Sequence, residues 1–111
     1  MIEQKDFKQL EAMTRLWADA KQISTKSTAE KQLKLTLEET AETITEISLY
    51  TNRVHIDIDK VYSEFGDIMV TVINALYLFD RDADITHCLE IAYNKINKRT
   101  GKIINGKFTK N

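Results

Sequence analysis

Two sets of carboxylates recur at helical spacing. The first set is Glu38, Glu39 and Glu42, and the second is Glu64 and Asp67. Residues three and four apart are neighbours on a helix surface, so each set points in one direction. If the two helices pack side by side, the carboxylates converge on one spot. The spacing therefore predicts a cluster of negative charge that requires a cation.

The identity of the cation follows from the donor atoms. An enclosed carboxylate must be protonated, paired with a basic residue or bound to a metal. A salt bridge to Lys34 or Lys60 is the alternative, and for one isolated acid it is the simpler interpretation. Two facing acidic pairs favour a metal. Oxygen donors without a cluster of histidine or cysteine favour Mg²⁺, with Mn²⁺ possible, over zinc.

Helices must position these acids, since the chain has no proline and only three glycines. Apolar periodicity predicts a first helix over residues 3–23 and a connector over 24–28. A capping box formed by Ser27 and Glu30 is expected to open a second helix that reaches about residue 50. Asp57 or Asp59 is expected to cap a third helix over 58–79. A fourth helix over 85–99 is expected to end at Gly101.

The two central helices differ in polarity. The second helix carries its acids on one face and apolar residues opposite, namely Leu33, Leu37, Ala41, Ile44 and Ile47. The third helix is apolar over most of its circumference, which predicts that it is buried. A single polar strip interrupts that surface, formed by Glu64, Asp67, Thr71 and Asn74.

The expected fold is all-α: a four-helix bundle-like single domain over residues 1–111 with a short C-terminal arm. Asn105-Gly106 between apolar residues predicts a hairpin in that arm. The third helix is too apolar for one thin domain to cover. We therefore expect a homodimer or a homotetramer, a dimer of dimers.

Basic residues collect near the end of the fourth helix. They are Lys95, Lys98, Arg99 and Lys102, with Asn94 beside them. Cations there suit the helix dipole, which is a sufficient reason for some of them. The functional interpretation is that Lys95 and Arg99, four residues apart, neutralise phosphate oxygens. Acids for a metal together with bases for phosphate suggest a nucleotide.

Composition restricts the other possibilities. The chain has 111 residues, is 42% hydrophobic and 30% charged, and carries a formal net charge of −1. This balance gives no support to a nucleic-acid or membrane partner. The single cysteine, Cys88, cannot form an internal disulfide, and the first residues lack the apolar core of a secretion signal, so we expect a cytoplasmic protein.

Three segments together resemble a known family. KLTLEETAE, SEFGD and AYNKINKRTGK are similar to the all-α nucleoside triphosphate pyrophosphohydrolases of the MazG type, over roughly residues 30–102. The superfamily pairs EExxE with ExxD one helix later. Both parts occur here, as Glu38-Glu39-Thr40-Ala41-Glu42 and Glu64-Phe65-Gly66-Asp67.

The resemblance implies roles for individual residues. Four carboxylates match the Mg²⁺ ligands: Glu39, Glu42, Glu64 and Asp67. Glu38 is an extra acid that orients water or a second ion, and Glu38 or Glu42 takes the proton from the attacking water. Substrate contacts are expected from Lys34, Asn94, Lys95 and Arg99, with Trp17 stacking on a base and Asn74 extending the polar strip.

The implied activity is Mg²⁺-dependent cleavage between the α and β phosphates of a nucleoside triphosphate, which releases a monophosphate and pyrophosphate. Two other classes of protein stay open. One is a non-catalytic helical interaction module that keeps the acids as a scaffold. The other is a regulator that binds a nucleotide without hydrolysing it.

Overall fold

The computed structural model describes residues 4–111, which form five helices and one hairpin. The elements are α1 (Phe7–Ala20), α2 (Ile23–Lys26), α3 (Ala29–Thr51), α4 (Ile58–Phe79), α5 (Ile85–Ile96), β1 (Gly101–Ile104) and β2 (Lys107–Lys110). The all-α class is confirmed. Within residues 4–111, no helix is both long and apolar enough to cross a membrane.

The first predicted helix is two helices. Asp6 caps α1 and forms a capping box with Gln9. Gln22 then adopts a left-handed conformation with φ of 62°, which separates α1 from the one-turn helix α2. The predictions of one continuous helix over 3–23 and of a connector over 24–28 are therefore wrong, although residue 3 lies outside the described residues.

A different residue from the predicted one caps α3. Thr28 is the N-cap, and its Oγ1 accepts from the backbone N–H of Lys31 at 3.2 Å. Ser27 instead follows the end of α2, and its Oγ accepts from the side chain of Gln32 at 3.0 Å. The predicted capping box with Glu30 is wrong, because Thr28 rather than Ser27 is the N-cap and Lys31 therefore occupies the N3 position.

Aspartates cap the last two helices. Asp57 caps α4, as predicted, and Asp84 caps α5. α5 ends at Ile96, three residues before the predicted end. Gly101 does not close the helix but begins β1, where a Cβ would clash with the backbone oxygen of Thr109.

The Asn-Gly turn forms the predicted hairpin. β1 and β2 are antiparallel, and Ile104 pairs with Lys107 across the turn. Asn105 and Gly106 have φ of 51° and 75°, as a type I′ turn requires. Every residue of both strands is exposed.

The helical body consists of α1, α3 and α4. α3 and α4 pack along their lengths, while α1 and α2 pack on α4. α5 contacts this body mainly through its first turn, where Ile85 and Cys88 line a groove with α3 and α4. One chain therefore does not close the predicted four-helix bundle.

The interior of this body is mostly polar. Among the described residues, the buried hydrophobic ones are Ala18, Val61, Ile73 and Ala75, and the buried polar ones are Glu11, Ser24, Gln32, Thr43, Glu46, Thr71 and Asn74. Of the apolar surface predicted on α4, Val61 and Ile73 are buried within the chain, whereas Tyr62, Phe65 and Met69 are exposed. α4 turns its polar strip, not its apolar surface, toward α3.

Candidate metal centre

A polar seam joins α3 to α4. On α3 its members recur at intervals of four and three residues, which keeps them on one face: Gln32, Thr36, Glu39, Thr43 and Glu46. On α4 they form the polar strip that the sequence predicted: Glu64, Asp67, Thr71 and Asn74.

Hydrogen bonds fix the two helices along this seam. The hydroxyls of Thr36 and Thr71 are 2.7 Å apart. The Oγ1 of Thr43 donates to the backbone oxygen of Glu39 at 2.7 Å and is also 3.3 Å from that of Glu64. Thr43 is 3% exposed, so it ties the backbones of both acid-bearing helices together from within. These contacts hold the acids at a fixed separation.

Three carboxylates meet next to Thr43. Glu39, Glu64 and Asp67 each offer one oxygen, and these oxygens lie within 4.8 Å of one another. Glu39 and Glu64 are half-buried and Asp67 is exposed, so the cluster opens to solvent on one side. We call these residues the acid triad.

Nothing in the described chain compensates the triad. The Oε2 atoms of Glu39 and Glu64 are buried and accept no hydrogen bond. The ion pairs within residues 4–111 link Arg15 to Glu11 and Arg81 to Asp19, and His55 forms a hydrogen bond with Glu46. None of these contacts reaches the triad. A salt bridge from Lys34 or Lys60, the alternative that the sequence left open, does not form.

The lack of compensation changes the pKa of Glu39. Burial raises the pKa of its carboxyl above the ordinary value, and the negative charges of Glu42, Asp67 and Glu64 raise the pKa further. Loss of hydration and repulsion by like charges both disfavour the ionised form. A cation at the triad would remove that repulsion.

The donor set fits a hard divalent cation. Three carboxylates and an open side for water suit Mg²⁺ or Mn²⁺, which prefer oxygen ligands and retain several waters. The two orphaned buried oxygens are the structural observation behind this fit. Glu42 stands beside the triad rather than within it, close enough to raise the pKa of Glu39. Glu38 is exposed on the solvent side of α3.

A cleft between α1 and α4 adjoins the triad. Asp67 and Val70 form one wall, and Leu10, Met13, Thr14 and Trp17 form the other, around about 430 Å³. Trp17 is half-exposed there. A second groove of about 460 Å³ continues past Asp67 along Ser63 and Gly66. Volumes of this size suit a small organic ligand.

The other predicted substrate contacts are exposed, namely Lys34, Asn94, Lys95 and Arg99. None of the three basic residues forms a salt bridge with the triad within residues 4–111. Asn74 is 3% exposed and donates to Gln32 at 3.5 Å, so it belongs to the contact between α3 and α4.

Sequence reasoning missed the residues that hold the triad in place. Thr36 and Thr43 carry small hydroxyls at seam positions, and their spacing from Glu39 was the available signal. Glu46, on the same helix as the predicted acids, is buried and pairs with Nδ1 of His55 at 2.9 Å. That pair fixes the segment between α3 and α4.

No protein-family model, curated protein or solved structure matches this chain.

Proposed function

We propose that this protein is a Mg²⁺-dependent nucleoside triphosphate pyrophosphohydrolase that cleaves between the α and β phosphates. The observation that carries the proposal is the acid triad, in which two buried carboxylate oxygens have no partner from the described chain. Mn²⁺ is the second cation that this donor set would accept.

Glu39, Glu64 and Asp67 would hold the cation, and Glu42 is near enough to contribute a further oxygen. When bound, a divalent cation offsets phosphate charge and lowers the pKa of a coordinated water. The chain's own part is orientation: Thr43 locks the two helices, so that the triad does not have to reorganise during the reaction.

The remaining steps fall to residues beside the triad. Glu42 and Glu38 are exposed carboxylates on the same helix as Glu39, and either can accept the proton of an attacking water. The cleft between Trp17 and Asp67 gives the base a surface next to the phosphate site. Lys34, Lys95 and Arg99 remain the proposed phosphate contacts.

The test is direct. Purified protein is incubated with Mg²⁺ and a panel of ribo-, deoxyribo- and modified nucleoside triphosphates, and both products are quantified by anion-exchange chromatography. Equal amounts of monophosphate and pyrophosphate, abolished by a chelator, are expected for at least one substrate. A nucleoside diphosphate and inorganic phosphate would instead show cleavage between the β and γ phosphates. No turnover with any substrate would refute the proposed enzymatic activity.

If no turnover is found, a binding measurement distinguishes the two remaining classes of protein. Saturable nucleotide binding without turnover would indicate a nucleotide-binding regulator. If neither the nucleotide nor Mg²⁺ binds, the acids belong to a non-catalytic helical module.

A further inference from the structure

Charge is distributed unevenly along the chain. All 17 acidic residues lie at or before Glu90, whereas residues 91–111 carry six of the 16 basic residues and no acid. The balance of the whole chain, which gave no support to a nucleic-acid partner, therefore conceals a segment with six positive charges beside a body with an excess of seven negative ones. The six basic residues are Lys95, Lys98, Arg99, Lys102, Lys107 and Lys110.

None of these positive charges is neutralised by the chain. All six residues are exposed, and none forms an ion pair within residues 4–111. The dipole of α5 favours Lys95 in its last turn, and lysines on exposed strands discourage pairing with other chains. Neither effect requires acids to be absent from the same 21 residues, so the segment has the charge expected of a surface that binds a polyanion.

The hairpin formed by β1 and β2 carries three of these lysines, Lys102, Lys107 and Lys110. It packs mainly on itself, and all eight strand residues are exposed. At the end opposite its Asn-Gly turn, the backbone N–H of Asn111 donates to the carbonyl of Thr100 at 3.0 Å, and the side chain of Asn111 donates to the hydroxyl of Thr100 at 3.1 Å. The ribbon is therefore closed at both ends before any ligand binds, which lowers the entropy cost of binding.

An aromatic ring lies among the lysines. Phe108 pairs with Ile103 across the strands, and Lys110 is two residues further along β2, on the same face. The Phe108 ring extends over Gly101, where a Cβ would come within 2.9 Å of its Cζ. The glycine thus supports one side of the ring, and Phe108 stays 52% exposed. A half-exposed ring beside a lysine provides a stacking surface for a base and a charge for the adjacent phosphate.

We infer that the hairpin is a binding surface for single-stranded nucleic acid. Phe108 stacks on a base, while Lys110 on the same face and Lys102 and Lys107 on the other contact phosphates. Such contacts do not depend on the base sequence, because every base has a π face and every nucleotide has a phosphate. This binding is independent of the proposed catalytic activity, since none of these four residues belongs to the triad or to the proposed substrate contacts.

Two other anionic surfaces fit the hairpin less well. In a duplex the bases already stack on one another, so Phe108 would have no free base to contact. An anionic membrane requires one continuous apolar face. Here the apolar residues are divided, with Ile103 and Phe108 on one face of the ribbon and Ile104 on the other. Neither face is therefore apolar enough to enter a membrane interface.

Fluorescence anisotropy with a labelled oligodeoxynucleotide of about 16 nucleotides is the test. The oligonucleotide has no terminal phosphate and the buffer contains a chelator, so neither a cation at the acid triad nor a triphosphate contributes to binding. Saturable binding is expected at about 50 mM salt, with an affinity that falls as the salt concentration rises. No saturable binding, or equal binding of a duplex or of phosphatidylserine vesicles, would overturn the inference.

Charge-neutralising variants locate the binding on the hairpin. Lys107→Gln together with Lys110→Gln should reduce the slope of log K against log salt by about 1.4, since each phosphate contact contributes about 0.7 for a single strand. Lys8→Gln together with Lys31→Gln is the matched control, because it removes the same charge from exposed sites on α1 and α3. The control should leave the slope unchanged, and equal slopes in both double variants would contradict binding at the hairpin.

Two substitutions of Phe108 isolate the stacking. Phe108→Leu keeps an apolar side chain over Gly101 but removes the π face, so the affinity should fall at least about 5-fold. Phe108→Trp keeps an aromatic ring and should retain binding. A Phe108→Leu protein that binds as tightly as wild type would show attraction between charges alone and would overturn the proposal.

Discussion

Two groups of acidic residues in this molecule differ in what surrounds them. Asp19 accepts from Ser24 at 2.6 Å and from the hydroxyl of Tyr77 at 2.9 Å, and the donors from these two residues, with Arg81 nearby, lower its pKa. In the acid triad, Glu39 meets burial and like charges, which raise its pKa. The chain stabilises the first carboxylate and leaves the second without compensation.

Like the exposed Asp19, two buried acids have donors from the chain. Glu11 accepts from the backbone N–H of Ile85 at 2.9 Å and pairs with Arg15. Glu46 pairs with His55. The chain can therefore supply donors to a buried carboxylate, and it does so at Glu11 and Glu46, both outside the triad. The proposed cation would supply the compensation that the chain does not give to the triad.

The largest expected effect is on turnover. Glu39→Gln and Asp67→Asn should each reduce pyrophosphate release at least about 100-fold, since even residues that only orient metal ligands contribute about 10- to 100-fold. The measurement is initial rate under saturating Mg²⁺. Glu30→Gln, an exposed acid in the first turn of the same helix, is the control and should retain activity. Equal activity in all three variants would remove the triad from the mechanism.

The next effect is metal-dependent stability. Mg²⁺ at a hundred times its Kd should stabilise the folded protein by about 2.7 kcal/mol, measured as a rise in Tm. Glu64→Gln should greatly reduce the rise, because Glu64 contributes an oxygen to the triad. Asp19→Asn should keep it, because Asp19 already has donors. A rise that Glu64→Gln leaves unchanged would place the cation elsewhere.

Without metal, neutralising an acid that has donors and neutralising an acid of the triad should change the free energy of unfolding in opposite directions. Glu11→Gln should lower the free energy of unfolding by about 2 kcal/mol, the contribution of hydrogen bonds to a charged group. Glu39→Gln should raise it by about 0.5 kcal/mol, because repulsion with Glu42 is relieved. Urea titration in a chelator measures both values. The comparison fails if Glu39→Gln destabilises the protein as Glu11→Gln does.

The smallest effect is the pH dependence due to Asp19. Because its folded pKa is lowered, its stabilisation is fully present above the unfolded value of about 3.9 and is lost as pH falls through the folded value. Wild type should therefore lose more stability than Asp19→Asn below about pH 4. Urea midpoints at pH 3 and pH 6 make the comparison, and parallel losses in both proteins would contradict it.

Much of the fold followed from short-range signals. The aspartate before α4 and the Asn-Gly turn each gave a confirmed boundary, because caps and tight turns depend on a few neighbouring residues. The break at Gln22 was not foreseen, since a left-handed glutamine carries no turn signature. The cap of α3 was misplaced by one residue, because Ser27 and Thr28 both favour the N-cap position and Ser27 is instead the residue that ends α2.

For the site, the sequence by itself determined which carboxylates share a face of each helix, because helical periodicity is local. Only the tertiary structure decided that Glu39 rather than Glu42 joins Glu64 and Asp67, since that depends on how α3 is rotated against α4. The contacts of the Thr36 and Thr43 hydroxyls with α4 accompany that rotation. That rotation also leaves Tyr62, Phe65 and Met69 of α4 exposed, whereas the sequence pattern could not say which apolar residues of this helix the chain itself covers.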